Sequence, residues 1–244
     1  MIRSDFFWLP KAGNRSEEYE DAVWPAKPLI LDPPAISYAI ADGATEASFA
    51  GLWASLLVQS FCRGHLEPRR RRKTLQRLRR CWLEEASRHP LPWYAEAKLQ
   101  QGSAAALLGL RLSRERPDIG TWHAKAWGDC CLFQIRQGRL LQSFPIAAAA
   151  DFGSRPSLIG SNMPKERLDD LEQAASGQWQ RGDRIYLSSD ALACFLLAEH
   201  EVGRDWWPIL EQMDEQSFVW LVAVTRDQKL MRNDDVTCVR IFFD

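Results

Sequence analysis

The sequence has 244 residues, of which 46% are hydrophobic, so the chain is long enough to bury a sizeable core. Its formal net charge of −1 argues against a general attraction to nucleic acid. No uninterrupted run of about 18 apolar residues is present, and the first residues, Met1–Asp5, do not resemble a signal peptide. We therefore expect a cytoplasmic protein that neither spans a membrane nor binds nucleic acid.

The first part of the chain alternates short apolar runs with helical patterns. Phe6–Leu9 and Ile36–Ala41 are predicted strands, and the second of them ends abruptly in Asp42-Gly43. Apolar residues at three- and four-residue spacing then predict a helix over Ala47–Cys62. A second helix is predicted to begin at Glu67-Pro68.

The second predicted helix carries a dense basic face. Its members are Arg69, Arg70, Arg71, Arg72, Lys73, Arg77, Arg79 and Arg80. Such a face is either solvated beside acidic segments of the chain or a surface for phosphate or an acidic partner. The solvated face is the simpler interpretation, and we expect it here.

Strands dominate after Gly102. They are predicted at Ala104–Leu112, Trp122–Trp127, Cys131–Arg136, Leu140–Phe144, Arg184–Ser188 and Val236–Phe243, with Gln137-Gly138 as a tight hairpin turn. Residues 147–180 are less regular and are expected to form a long surface excursion with a short helix near Lys165–Ala175. Further helices are predicted over Ala191–Glu201 and Phe218–Val224. This order lacks regular βα alternation, so an α+β class with antiparallel strands fits it best.

Carboxylates recur where the predicted strands begin or end. Asp42 and Asp190 each follow a strand and precede a helix, Asp234-Asp235 precede the last strand, and Glu20-Asp21 precede the apolar segment Ala22–Trp24. Any single one of them could simply cap a helix. Gathered in one cleft, however, they would repel one another unless cations neutralised them, as in a two-metal site.

Six short segments follow one another along nearly the whole chain. They are Glu20-Asp21-Ala22, Tyr38-Ala39-Ile40-Ala41-Asp42-Gly43, Gly102-Ser103-Ala104-Ala105, Trp127-Gly128-Asp129-Cys130, Gly182-Asp183-Arg184-Ile185-Tyr186-Leu187-Ser188-Ser189-Asp190 and Asp234-Asp235-Val236-Thr237. In this order they resemble the type-2C, metal-dependent (PPM) protein serine/threonine phosphatase family, in its compact bacterial branch. The resemblance implies one domain over residues 1–244, folded as a four-layer αββα sandwich of two antiparallel sheets flanked by helices.

The resemblance also implies a binuclear centre of Mn²⁺ or Mg²⁺ ions. Asp42 would bridge both ions. Glu20 and the carbonyl of Gly43 would hold one of them, and Asp190 and Asp234 would hold the other. Carboxylate and carbonyl oxygens are ligands that suit such hard cations.

Three further residues receive roles from the same resemblance. Asp21 would orient a water molecule at the centre, and Asp129 matches an acid that helps to hold a third ion. Arg15 is the candidate phosphate clamp, because a guanidinium can bind a phosphoryl group through two hydrogen bonds. Cys194 stands where the family has an acid, which weakens the third-ion site. Ala44-Thr45-Glu46 replace the residues that usually follow Asp-Gly, so no histidine general acid is implied there.

The function implied is hydrolysis of phosphoserine and phosphothreonine in proteins by a water molecule activated at the binuclear centre. The substrate would then be a phosphoprotein, the target of a serine/threonine kinase. An alternative is a catalytically weak, phosphatase-like module that binds a phosphoprotein or a regulatory partner. Another metal-dependent phosphoesterase or nuclease is a third interpretation, which the near-neutral charge disfavours.

Overall fold

The protein is a sandwich of two antiparallel sheets with helices on both outer faces. The computed structural model describes residues 1–45, 47–88, 99–153 and 156–244. One group of helices packs on the outer face of one sheet and a second group on the outer face of the other. This is the αββα architecture predicted from the sequence, and the α+β class is confirmed. Within the described ranges, no helix is long and apolar enough to cross a bilayer.

The strands are β1 (Ile2–Leu9), β2 (Ala22–Trp24), β3 (Leu29–Leu31), β4 (Ala35–Gly43), β5 (Ala104–Arg116), β6 (Ile119–Trp127), β7 (Cys131–Arg136), β8 (Arg139–Phe144), β9 (Ile159–Gly160), β10 (Gln173–Gln180), β11 (Arg184–Ser188) and β12 (Val236–Phe243). The α-helices are α1 (Ala50–Cys62), α2 (Arg71–Ala86), α3 (Lys165–Asp170), α4 (Asp190–Glu201), α5 (Trp207–Gln212) and α6 (Glu215–Asp227). Short 3-10 helices cover Ser16–Glu18 and Ala149–Asp151.

Each sheet is built from antiparallel pairs. The first sheet has the order β3-β1-β12-β11-β7-β8, and the second has the order β10-β6-β5-β4-β2 with β9 beside β5. The central pairs are long: β4 and β5 are in register from Ala35 opposite Ser113 to Gly43 opposite Ala105. The chain passes from the second sheet to the first between β6 and β7, a connection that contains Asp129.

Alternation along β4 assigns its side chains to two different cores. Tyr38 and Ile40 pack between the two sheets, whereas Ala39 and Ala41 pack beneath α1 and α2. Because successive side chains of a strand point to opposite faces, Asp42 lies on the same face as Tyr38 and Ile40. A carboxylate is thereby placed at the open end of the space between the sheets.

Three of the differences between the structure and the sequence predictions concern where helices begin and end and how the segment before β11 folds. Helix α1 begins at Ala50 and not at Ala47, since Phe49 just before it has a left-handed backbone (φ 51°). Helix α2 begins at Arg71 and not at Glu67. The segment 147–180 is more than a surface excursion: its helix ends at Asp170, and β10 then pairs with β6 over eight residues.

Candidate metal centre

Gly43 brings the end of β4 against the backbone of the β1–β2 connection. A Cβ atom at this position would lie 2.6 Å from the carbonyl oxygen of Glu20 and 2.9 Å from the carbonyl carbon of Ala50. Only glycine allows this approach without moving the backbone. Two predicted metal-binding segments, Glu20-Asp21 and Asp42-Gly43, are therefore in contact.

The first sheet contributes Asp190 and Asp234. Asp190 is the first residue of α4, 8% exposed, and Ser189 occupies the N-cap position before it. The hydroxyl of Ser189 accepts a hydrogen bond from the N–H of Thr237 at 2.9 Å, which ties the end of β11 to the start of β12. Asp190 therefore does not cap its helix, and neither does Asp42, which is the penultimate residue of β4 and lies seven residues before the N-cap residue Phe49.

Asp21 belongs to a buried chain of hydroxyl groups. It is 6% exposed, and its Oδ2 accepts a hydrogen bond from Thr237 Oγ1 at 2.6 Å. The Thr237 hydroxyl has one proton, so the Tyr19 hydroxyl is the donor in its own contact with Thr237. Asp21 Oδ1 is buried and has no partner among the described residues. The sequence reasoning missed Tyr19 and Thr237, although Thr237 was part of a recognised segment.

Asp129 reaches the cluster from the connection between the sheets. Gly128 before it has a φ of 101°, and a Cβ there would lie 2.6 Å from the Cβ of Ala106. Asp129 is 4% exposed, and its Oδ2 has no hydrogen-bond partner among the described residues. Burial of a charged carboxylate oxygen without a hydrogen-bond donor costs folding free energy. The carboxyl group is therefore either protonated or a ligand for a cation.

Electrostatic interactions show how closely the aspartates are grouped. Burial raises the pKa of Asp42 well above its usual value, and Asp21, Asp190, Asp129 and Asp234 raise it further. Burial likewise raises the pKa of Asp129 to about 7, with Asp190 contributing. Five of the predicted site residues thus lie within interaction distance at one end of the sandwich, where their charges oppose one another.

Asp235 accepts hydrogen bonds from two backbone amides of the β1–β2 connection, whereas its neighbour Asp234 is a predicted metal ligand. Its Oδ2 accepts the backbone N–H of Glu20 at 2.6 Å, and its Oδ1 accepts the N–H of Lys11 at 2.7 Å. Asp235 therefore fixes the connection between β1 and β2 from both ends and positions Glu20. Asp234 is half-buried beside it, and its Oδ1 accepts the N–H of Asp235 at 3.0 Å.

One guanidinium beside the aspartate cluster belongs to Arg232, which the sequence did not suggest. Arg232 donates to Asp190 Oδ2 from the loop before β12. Arg15, the predicted phosphate clamp, is exposed at the start of the first 3-10 helix, and its N–H donates to Glu18 at 2.8 Å. The role assigned to Arg15 stays a prediction.

The carboxylate and carbonyl oxygens of these residues are of the type that binds hard cations, but they do not point to one common position. Among the described residues, no three Asp, Glu, His or Cys side chains already meet at one point as ligands. The contacts explain why: Arg232 holds Asp190, and Asp235 is engaged by two backbone amides. The buried, unpartnered oxygens of Asp21, Asp129 and Asp190 are nevertheless what divalent ions would satisfy.

Two sequence departures can also be placed. Cys194 lies one helical turn after Asp190 on α4 and is half-buried, and its nearest polar contact is a weak one to the carbonyl of Ala149 at 3.9 Å. Ala44 continues from β4, where its N–H donates to the carbonyl of Ala104 at 3.0 Å. Glu46 lies outside the described residues.

Comparison with known proteins identifies the fold. No protein-family model and no curated protein matches the sequence. Among solved structures, the Mycobacterium tuberculosis serine/threonine phosphatase PstP/Ppp is similar, with a TM-score of 0.61 at 13% identity over 100% of this chain and 99% of that chain. PppA, a key regulatory component of T6SS in Pseudomonas aeruginosa, has a TM-score of 0.59 at 17% identity over 99% and 97%. The catalytic domain of PstP in complex with two manganese ions has a TM-score of 0.56 at 14% identity over 99% of each chain. At such identities the likeness concerns the fold.

Proposed function

We propose that this chain, which has the fold of the metal-dependent (PPM) serine/threonine phosphatases, hydrolyses phosphoserine and phosphothreonine in proteins. One observation carries the proposal. Asp21, Asp129 and Asp190 each bury a carboxylate oxygen that has no partner among the described residues, at the end of the sandwich where Asp42 also lies. A purely structural cluster would not retain mutually repelling acids in this state.

Mn²⁺ or Mg²⁺ ions are the cofactors that these oxygens suit. Asp42 would bridge two ions, Glu20 and the Gly43 carbonyl would hold one, and Asp190 and Asp234 would hold the other. Asp129 would serve a third ion. Bound cations would lower the pKa of a water molecule and neutralise the phosphoryl oxygens.

The residues of the chain have their own parts in the reaction. Thr237 holds Oδ2 of Asp21, so the free Oδ1 accepts a hydrogen bond from the attacking water and orients its lone pair toward phosphorus. The water oxygen bonds to phosphorus as the bond to the serine or threonine oxygen breaks. The water gives up one proton to solvent by way of Asp21 Oδ1, and the leaving oxygen takes one proton from solvent. Arg232, freed from Asp190, or Arg15 would bind the phosphoryl oxygens.

A second function has one observation in its favour. The guanidinium of Arg232 already neutralises Asp190, which is the position where a cation would be needed. A chain that keeps this ion pair permanently would be a weak or inactive phosphatase-like module that binds a phosphoprotein or a regulatory partner.

One assay separates these two functions. Hydrolysis of p-nitrophenyl phosphate and of a phosphoserine peptide is measured with Mn²⁺, with EDTA, and for Asp42→Ala. The exposed Asp151→Ala variant is the matched control. We expect Mn²⁺-dependent turnover in the wild type and the control, and none with EDTA or in Asp42→Ala. No turnover with Mn²⁺, or turnover that survives both EDTA and Asp42→Ala, contradicts the phosphatase proposal.

A further inference from the structure

A cleft begins beside the aspartate cluster. It is lined by Ala44 and Ala47, by Ser103, and by Asn162 and Arg167 from the segment around α3. Ala44 lies two residues after Asp42, a distance of about 7 Å at most along the chain. The cleft therefore begins close to the proposed metal centre.

Ser103 indicates that the cleft receives a ligand. The residue is 4% exposed, and its N–H donates to Ser161 Oγ at 3.0 Å. Its own hydroxyl Oγ is buried and has no hydrogen-bond partner among the described residues. A buried hydroxyl normally has a hydrogen-bond partner, so a polar group that enters the cleft would provide the partner that Ser103 lacks.

The cleft continues onto the basic helix. A second cleft shares Asn162, Met163 and Pro164 with the first and is lined on its far side by Arg72 and Arg79. These two arginines are seven residues apart on α2, which places them on one face of the helix and about 10 Å apart along its axis. Together the two clefts form a path, here called the basic groove, from the aspartate cluster to the middle of α2.

The arginines along the basic groove have no acidic partner in the part of the chain that the structure describes. Arg72, Arg79 and Arg167 are exposed and make no salt bridge with any described residue. None of the described residues that line either cleft is acidic. Arg71 alone of the basic face is buried, where it binds Asp169 and Glu172. The expectation of a basic face balanced by acidic segments is thus met at Arg71 only.

We propose that the basic groove binds the acidic residues that flank the phosphorylated side chain of a protein substrate. The inference rests on the proposed function, because the groove starts at that site. An extended peptide advances about 3.3 Å per residue, so Asp or Glu residues within a few positions of the phosphoserine reach Arg167 first and the arginines of α2 next. The substrate class is then an acidic phosphopeptide segment, selected by charge.

The test uses two fluorescein-labelled phosphoserine peptides that differ only in having Asp/Glu or Asn/Gln flanks. Hydrolysis with Mn²⁺ and anisotropy-detected binding to the metal-free protein are measured at low salt. The test variant is Arg72→Gln/Arg79→Gln. The control is Lys73→Gln/Arg80→Gln, which removes the same charge from exposed positions of the same helix that line neither cleft.

We expect the wild type and the control to prefer the acidic peptide roughly tenfold, in KM and in binding, and Arg72→Gln/Arg79→Gln to lose most of that preference. Turnover of p-nitrophenyl phosphate, which has no flank, should not change. Equal binding of both peptides, or an equal loss of preference in the control variant, contradicts the proposal that the groove binds acidic residues. If neither peptide is hydrolysed but the binding preference follows Arg72 and Arg79, the phosphatase proposal fails and the groove stands.

Discussion

Replacing Asp129 by Asn should stabilise the metal-free protein at alkaline pH. Burial and Asp190 raise the pKa of Asp129 from 3.8 to about 7. A raised folded-state pKa means that the contribution of this group to stability is complete below pH 3.8 and is lost as the pH rises through 7. A rise of roughly 3 in the pKa corresponds to about 4 kcal/mol in the free energy of unfolding. An unsatisfied buried amide costs about 1–3 kcal/mol, so Asp129→Asn should be more stable than the wild type by roughly 1–3 kcal/mol above the pKa.

Urea denaturation in EDTA at about pH 8.5 and about pH 5 measures this difference. The gain should appear at the higher pH and vanish or reverse at the lower pH, where the wild-type carboxyl is already protonated. The exposed Asp151→Asn variant should behave like the wild type at both values. Added Mn²⁺ should remove the advantage, because cations neutralise the charge that the asparagine eliminates. A variant that is no more stable than the wild type at pH 8.5 would refute the reasoning.

Three further substitutions test individual contacts of the site. Arg232→Gln frees Asp190 from its ion pair, so Mn²⁺ should bind more tightly in titration calorimetry; weaker binding would mean that the arginine supports the site. Thr237→Val keeps the branched shape in β12 but removes the donor to Asp21. The melting temperature should fall, because Asp21 and Tyr19 lose a buried hydrogen-bond partner. Turnover of the folded protein should fall at least about tenfold, and unchanged turnover would exclude a role for the hydroxyl. Gly43→Ala would force a Cβ to 2.6 Å from a backbone carbonyl oxygen, so urea denaturation should show a loss of about 2 kcal/mol or more. A wild-type denaturation curve would contradict the close approach.

Local turn chemistry made part of the fold predictable. The hairpin between β7 and β8 was predicted from Gln137-Gly138, and both residues have positive φ, at 52° and 75°. This is the twist that a two-residue hairpin turn requires. The bounds of β7, β11 and β12 were also predicted without error, since each is an apolar run between polar turns.

Elements that depend on a distant partner were harder to predict. Strand β10 is polar and mostly exposed, and Trp179 is its one deeply buried side chain. Its sequence shows little alternation, because the strand lies at an edge and owes its pairing to β6. Helix α1 starts later than predicted, because the apolar periodicity further along the helix did not reveal that Phe49 would adopt a left-handed backbone.

That the aspartates lie close together was predictable, because each sits beside a strand end, and strand ends meet at one edge of a sandwich. The side chains that surround them were not. The positions of Arg232 and Asp235 depend on how the loop before β12 folds back onto β1 and α4. A sequence fixes neither the direction of a long side chain in a loop nor the choice between neighbouring acids.

The acids of the site come from both sheets, with Asp21 and Asp42 on the second and Asp190 and Asp234 on the first. Neither sheet alone contains the site, so it comes into being only when the two docked faces close over their shared core. Repulsion between the acids of the two sheets opposes the packing of one sheet on the other. A cation that binds acids of both sheets would stabilise the folded state. Amide protons deep in either sheet should then exchange more slowly, even in strands far from the acids.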